Sequence, residues 1–412
     1  MPSAVPIAAE QMLMERKRIF INIHYLEIGG AETALIGLLH ALDPERADVD
    51  LFINDHRGEL MKFIPEWVRV LPPVGAYTMI ERPIKEVLRA GYLRIALARL
   101  WAKVRFGLYA RRKRPADGSA IFGYVGRYVT PVLPSLKGLG RYDLAVSFVT
   151  PHNVVLDKVC ASRKVCWIHT DYTRIDTDAA LELPVWSGYD RIVSISPDVT
   201  KCFLDIFPSL ESKITEIENI VPAELVRARS LEPAALARKD DKTVVLLTIG
   251  RYSYQKRLED IPLICRALKR RGVRVIWYVI GYGGSDEYIR RAVAACGVEN
   301  EVVLLGKQSN PYPYIRACDW YVQPSRYEGK SVAVREAQIL CKPVIITDYP
   351  TSSSQVRNGM DGVIVPMPVE ACTEAMAAAI SDEALRARLA GNLAACTFDA
   401  SAETEKIYSL MR

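Results

Sequence analysis

The sequence predicts an α/β protein built from two doubly wound, parallel-sheet domains that face each other across a cleft, and three observations carry that expectation. At 412 residues, half of them apolar, the chain is longer than one hydrophobic core usually supports. Short apolar runs alternate with helical patterns, the order of βαβ units. The alternation breaks once, over the Ala-, Arg- and Asp-rich stretch 223–242, and then restarts. The expected division is a first domain at 1–222, a linker at 223–242 and a second domain at 243–398. A closing helix within 399–412 is expected to pack back on the first domain.

Taken in order, Ile-Phe-Ile-Asn-Ile-His-Tyr at 19–25 reads as a strand buried on both faces. The turn Gly29-Gly30 and a helical pattern over 34–42 complete the first βα unit. Strands follow at 49–54, 144–149, 164–169 and 191–196, with helices supplied by the basic segment 82–114. Beyond the linker the strands are 243–249, 273–280, 302–305, 320–322, 344–347 and 362–365, interleaved with helices at 258–270 and 286–296. A further helix opens at Val332, with Ser331 as its expected N-cap, and stops before Lys342-Pro343. Helices at 370–389 and 402–411 close the chain.

Composition excludes several classes. Nine cysteines follow no metal-ligand spacing and most lie in apolar runs, so reduced core thiols and a cytoplasmic compartment are expected. At the start, apolar residues precede Glu15-Arg16-Lys17-Arg18, the reverse of a secretory signal's order. No run approaches the ~20 apolar residues of a membrane span. The net charge is only +6, yet between Arg82 and Arg114 eleven Lys or Arg residues stand against the single acid Glu86. Apolar residues alternate with those bases. Such a basic amphipathic helix suits an anionic membrane surface, with Arg105, Arg111, Arg112, Lys113 and Arg114 as the contacting cations. No nucleic-acid-reading motif is present, so nucleic acid is not an expected partner.

The chemistry concentrates in Tyr327-Glu328-Gly329-Lys330-Ser331-Val332 and the following turn to Glu336, where two carboxylates flank a glycine turn opening a helix. Free N–H groups at such a start suit phosphate. Gly250-Arg251 and Lys256 place two cations after a strand, one bidentate and one a point charge, fit to neutralise a diphosphate. Gly281-Tyr282-Gly283-Gly284 is a second glycine turn after a strand. Two Asp-x-Asp triplets, Asp48 to Asp50 and Asp176 to Asp178, are read as chance occurrences. Paired carboxylates would also suit a glycosidase, but the phosphate-suited turn between Glu328 and Glu336 favours sugar and ribose binding. A dinucleotide oxidoreductase is disfavoured because Gly29-Gly30 lacks the G-x-G-x-x-G spacing.

In this order and spacing the motifs resemble the retaining glycosyltransferases of family 4, which share the GT-B fold of two Rossmann-like, doubly wound domains. The match runs strongly from 243 to about 366, through Gly250-Arg251, Lys256, the Gly281 turn, Glu328-x7-Glu336 and Gly359-x-Asp361-Gly362. It is looser in the first half, at Gly29-Gly30-Ala31-Glu32, Trp167-Ile168-His169-Thr170 and Asn219. The resemblance implies that Arg251 and Lys256 hold the donor diphosphate, that Glu336 binds ribose and that Glu328 binds the transferred sugar. It also implies that His169 lies near the reacting carbon. Gly29, Gly30, Gly250, Gly281, Tyr282, Gly329, Lys330, Ser331 and Val332 would line the donor. It further implies a hexose donor carried on a nucleotide diphosphate, uridine-based, and no cofactor or metal. The acceptor would be a glycan or polyprenyl-linked glycan of surface polysaccharide, met at the inner face of the cytoplasmic membrane. A nucleotide-sugar epimerase or glycan phosphorylase of similar architecture is the alternative enzyme, and a non-catalytic, membrane-associated nucleotide-sugar-binding module the alternative outside enzymes. Two positions depart from the family pattern: Lys330, and Thr351 to Gln355, where relatives carry an acid.

Overall fold

The structure, a computed structural model, describes residues 16–115, 117–234, 236–238, 240–284, 286–398 and 401–412. Glu15 and the residues before it, on which the charge order at the start partly rests, lie outside the described residues.

Two all-parallel sheets form the frame. The first contains β1 (Lys17–Ile23), β2 (Ala47–Ile53), β3 (Arg69–Val70), β4 (Arg141–Ser147), β5 (Cys160–Ile168), β6 (Arg191–Ser194) and β7 (Ile214–Glu216), in the order β3-β2-β1-β4-β5-β6-β7. The second contains β8 (Val244–Ile249), β9 (Val275–Ile280), β10 (Val302–Gly306), β11 (Trp320–Gln323), β12 (Val344–Thr347) and β13 (Gly362–Val365), in the order β10-β9-β8-β11-β12-β13. The continuous apolar runs are strands covered on both faces, as in β9, where all six residues are buried. In each sheet the order reverses between two adjacent strands, β1 and β4 or β8 and β11. The crevice outside the carboxyl ends of such strands is where open α/β sheets bind ligands. Those ends lead directly into Gly29-Gly30, Val149-Thr150, Gly250-Arg251 and the turn at Glu328.

The domain boundary is sharp: Ile220 packs in the first core and Val221 in the second. The closing helix Ser401–Ser409 returns to the first domain, where Ile407, Tyr408 and Leu410 join its core. There the backbone N–H of Asp43 donates to the Tyr408 hydroxyl at 2.8 Å, and Arg46 lies 3.7 Å above the Tyr408 ring.

Several expectations are corrected. The stretch 223–242 is not a free linker: Ala223–Arg229 is a helix whose Val226 is fully buried in the second core. Tyr278 then ties Ala237 to the sheet by donating to its carbonyl at 2.8 Å. One buried residue in two turns is too little periodicity to read in advance. The helix expected over 370–389 is two, Val369–Ser381 and Glu383–Ala394, because the Asp382 carboxylate accepts from the Leu385 N–H at 2.8 Å and starts a new one. The basic segment is Ile84–Arg89 and Leu93–Lys113, parted at Gly91, whose φ of 81° lies in the left-handed region. A helix not anticipated, Ile121–Val129, packs against the longer of them, and the two-residue β3 and three-residue β7 are too short to leave a pattern.

Candidate active site

A cavity of about 850 Å³ lies between the domains at the two strand reversals. Two helix N-termini meet there, Gly30–Ala41 with Gly29 at its N-cap and Val332–Ile339 with Ser331 at its N-cap, and no side chain caps either. A Cβ on Gly30 would stand 4.0 Å from Val332 Cγ2, so the two starts are adjacent. Their unsatisfied N–H groups and dipoles aim positive potential into one space. Arg251 and Lys256 line the same space.

Two glycines are obligatory for this approach. A Cβ on Gly281 would fall 1.9 Å from the Gly250 carbonyl oxygen, so the two loops pack backbone to backbone. A Cβ on Gly329 would stand 2.8 Å from the His169 carbonyl oxygen, which marks direct contact between the domains. At Gly29 the obstacles would be the ends of Glu32 and Arg251, 2.2 and 2.7 Å away, flexible groups rather than backbone.

Glu328 is buried and heavily engaged. It meets Lys256 Nζ at 2.6 Å, accepts from Ser325 Oγ at 2.5 Å and accepts more weakly from Gln255 Nε2 at 3.3 Å. An ammonium has three donors, so Lys256 can hold this carboxylate and a phosphate oxygen together. Glu336 is equally buried, yet among the described residues its carboxylate accepts only from the Tyr312 hydroxyl, at 2.9 Å. Burial pushes its carboxyl up to about 7, against the opposing effects of Tyr312 and the Arg229 charge. Arg229 itself lies between two rings, 3.8 Å from the Phe63 centroid and 5.1 Å from that of Tyr312. It thereby links the domains at this end of the cavity.

His169 lines the cavity with Nε2 donating to the Phe148 carbonyl at 2.9 Å, the tautomer that this bond selects. Burial lowers its pKa to about 4, so the ring is neutral near pH 7. Its Nδ1 is a buried acceptor with no hydrogen-bond partner among the described residues. The geometry suits a hydrogen bond from a hydroxyl, not proton donation.

Other expected donor residues also span the cleft. The Tyr282 hydroxyl donates to the Ile28 carbonyl at 3.2 Å. Arg251 stands 3.7 Å from Glu32 of the first domain, whose carboxyl burial raises. Lys330 is turned to Glu218 of the first domain at 2.5 Å rather than to solvent. Ser331 occupies the N-cap position but its hydroxyl caps nothing; instead its N–H donates to Gln355 Oε1 at 2.9 Å and its carbonyl accepts from Gln355 Nε2. The Thr351 hydroxyl donates to the Glu328 carbonyl at 3.0 Å. The departure noted at 351–355 is thus the brace of the glycine turn.

Some residues are not brought to the cleft. Arg105, Arg111, Arg112, Lys113 and Arg114 are exposed along the helix Leu93–Lys113 and at its end, outside the cavity lining. The Asp-x-Asp triplets serve the fold. Asp50 pairs with Arg69 and accepts from the Tyr142 hydroxyl, while Asp178 caps Ala179–Ser187 and accepts from the Tyr124 hydroxyl. Residues missed from the sequence are Tyr312, Arg229, Gln255, Gln355 and Glu218. Only Gln355 carried a signal, through its departure from the family pattern.

Residues 232–394 match the family model of the glycosyl transferases group 1. That segment, about two fifths of the chain, is similar to the group 1 glycosyl transferases. Over 370 residues, 90% of the chain and 91% of the relative, the sequence is 24% identical to the lipopolysaccharide core biosynthesis glycosyltransferase LpsE of Rhizobium meliloti. Over 197 residues it is 22% identical to the N-acetylgalactosamine-N,N'-diacetylbacillosaminyl-diphospho-undecaprenol 4-alpha-N-acetylgalactosaminyltransferase of Campylobacter jejuni. There the match covers 48% of this chain and spans only about half, 52%, of that relative's length. Among solved structures, S. aureus TarM in complex with fondaparinux, alpha-GlcNAc-glycerol and UDP superposes with a TM-score of 0.66 at 13% identity, covering 96% of this chain and 100% of TarM. That likeness establishes the GT-B fold. The matched segment holds Arg251, Lys256, Glu328 and Glu336, and the first domain supplies Gly29, Gly30 and His169 across the cleft.

Proposed function

We propose that the protein transfers a hexose-type sugar, with retention of configuration, from a uridine-diphosphate donor to a glycan or lipid-linked glycan of bacterial surface polysaccharide. The observation that carries the proposal is the convergence of two uncapped helix starts, Arg251 and Lys256 on one cavity between two carboxylates. That arrangement offsets the charge a departing nucleoside diphosphate develops, the kind of preorganised stabilisation that dominates many enzymes' rate gains. The chain's own cations supply it, so no metal is required by this reading. Glu336 accepts from the ribose hydroxyls, Glu328 from those of the sugar, and the free Nδ1 of His169 from a hydroxyl near the reacting carbon. In the retaining course the acceptor attacks on the leaving-group face. The relatives named for lipopolysaccharide core synthesis and for a diphospho-undecaprenol acceptor support the acceptor class, and UDP in the TarM complex supports the nucleotide.

The same reading places the first domain on an anionic membrane surface. No described helix is long and apolar enough to cross a membrane. The helix Leu93–Lys113 instead exposes large apolar residues on one face and ends in Arg111, Arg112 and Lys113. The decisive test is a donor screen by thermal shift followed by a transfer assay with the best binder. Stabilisation by UDP-sugars and transfer to a lipid-linked acceptor are expected. Epimerisation of the donor without any acceptor would replace the transferase reading, and binding without turnover would leave only a binding module.

A further inference from the structure

The two helix starts that meet in the cleft differ in one respect. The helix Val332–Ile339 has no acid in its first turn, whereas Gly30–Ala41 carries Glu32 there. Glu32 is 8% exposed and lines the cavity. Its carboxylate folds back over the glycine start of its own helix, where a Cβ on Gly29 would fall 2.2 Å from Oε2. A glutamate three residues after an N-cap commonly turns back in this way to accept from the N-cap N–H. Among the described residues no such bond is formed, and the only cation within 4.0 Å is Arg251, reached from the other domain at 3.7 Å.

Glu328 supplies the contrast. That carboxylate is tied to Lys256 at 2.6 Å and to Ser325 Oγ at 2.5 Å, which fixes it whether the cleft is empty or filled. Glu32 has no comparable tie. Burial raises its pKa, opposed by its own N–H and by the charges of Arg251 and His24, while Glu27 adds to the rise. A helix start beside a guanidinium is a place for an anion, and in this chain a carboxylate already stands there. We infer that Glu32 is a resident placeholder for the donor's phosphate: its carboxylate occupies the anion position between Gly29 and Arg251 in the empty cleft and must yield before a diphosphate is held there. An ionised carboxylate left in place would repel the incoming diphosphate across this poorly screened space. Displacing it weakens every phosphate ligand by the same factor. A complete donor compensates through its nucleoside and sugar contacts, and a lone diphosphate cannot, so Glu32 filters out free phosphates. Returning to Gly29 after transfer, it also helps to expel the nucleoside diphosphate. The inference rests on the donor reading of the cleft and adds to it the residue that selects against incomplete donors.

The test uses calorimetry on the full chain, with UDP, inorganic diphosphate and uridine titrated into wild type, Glu32→Gln and Glu32→Ala. Glu32→Gln keeps the side chain's shape and loses its charge, and Glu32→Ala loses both, so either variant serves once a thermal melt shows it folded. UDP and inorganic diphosphate are each expected to bind the variants about tenfold more tightly than wild type, and uridine, which has no phosphate, to bind all three alike. Weaker binding of UDP and diphosphate in the variants would overturn the inference, because Glu32 would then be a support that positions Arg251. A gain for uridine equal to that for UDP would also overturn it, tracing the effect to a general change in the cleft. UDP that fails to bind any of the three proteins would refute the donor reading and this inference with it. UDP bound with the same affinity by all three would refute this inference alone.

Discussion

Glu328 and Glu336 are the same residue type on one turn-and-helix segment and are 5% exposed alike, yet they live in opposite electrostatics. Glu328 faces an ammonium at 2.6 Å and a hydroxyl at 2.5 Å. Glu336 faces one tyrosine hydroxyl at 2.9 Å, and its carboxyl rises to about 7. The difference comes from which element of the second domain each meets, since the loop after β8 carries Lys256 to Glu328 and the start of the helix Tyr312–Ala317 carries a phenol to Glu336. One end of the site is therefore an ion pair that a phosphate can share, and the other is a titratable group whose state follows pH.

The strongest way to break this contrast is at the ion pair. Lys256→Ala removes the ammonium nearest the expected diphosphate and should lower transfer by about a hundredfold or more. It also strands a buried carboxylate, which should cost about 3 kcal/mol of stability. Adding Glu328→Gln removes the stranded charge, so the double variant should regain much of the lost stability and none of the transfer. Denaturant melts and initial rates on the three variants measure both. Wild-type transfer in Lys256→Ala would remove the assignment of this lysine to the diphosphate.

At the other end the lever is pH. A carboxyl whose folded pKa of about 7 exceeds its ordinary value of 4.5 favours folding while protonated, so that contribution is full below about pH 4.5 and is lost as pH rises through 7. Glu336→Gln cannot ionise. Its stability relative to wild type should therefore increase between pH 5 and pH 8, by at most about 3 kcal/mol. UDP affinity should respond in the opposite sense. In the proposed donor mode the ribose hydroxyls donate to the ionised carboxylate, so wild-type affinity should fall as pH drops through 7 while that of Glu336→Gln stays flatter. The same slope in both proteins would show that another group governs the pH dependence.

The contrast also marks how far sequence reached. The alternation of apolar runs and helices, the glycine turns and the cation-carboxylate order are local patterns, and they located both sheets and the loops that form the cleft. What Glu328 and Glu336 touch was not local. Tyr312 meets Glu336 by packing of a separate helix, and Gln355 grips both backbone groups of Ser331 from the short helix Ser352–Gln355 beyond β12. Such tertiary pairs leave no periodicity. The helix Ala223–Arg229 was hidden for a related reason, since its single fully buried residue, Val226, owes its burial to the second core. The break at Asp382 is different in kind. Its capping role is a local signal, but the apolar spacing on either side runs through it.

Lys330 offers the smallest and most selective change. It projects from the glycine turn between the two carboxylates and is only 7% exposed at its side chain, with Glu218 at 2.5 Å and Arg335 sharing that acid at 3.8 Å. Glu218 is 48% exposed, so its contribution to stability should be below about 1 kcal/mol. Its charge still reaches the cleft by way of Lys330, which lines the cavity. Glu218→Gln should therefore leave the fold intact and raise the positive potential over the donor turn. UDP affinity should increase by about two- to fivefold at low salt, and the gain should shrink as salt screens it. Weaker UDP binding in this variant would mean that the pair's chief role is to hold the two domains in register, and that Lys330 adds no useful charge to the donor end.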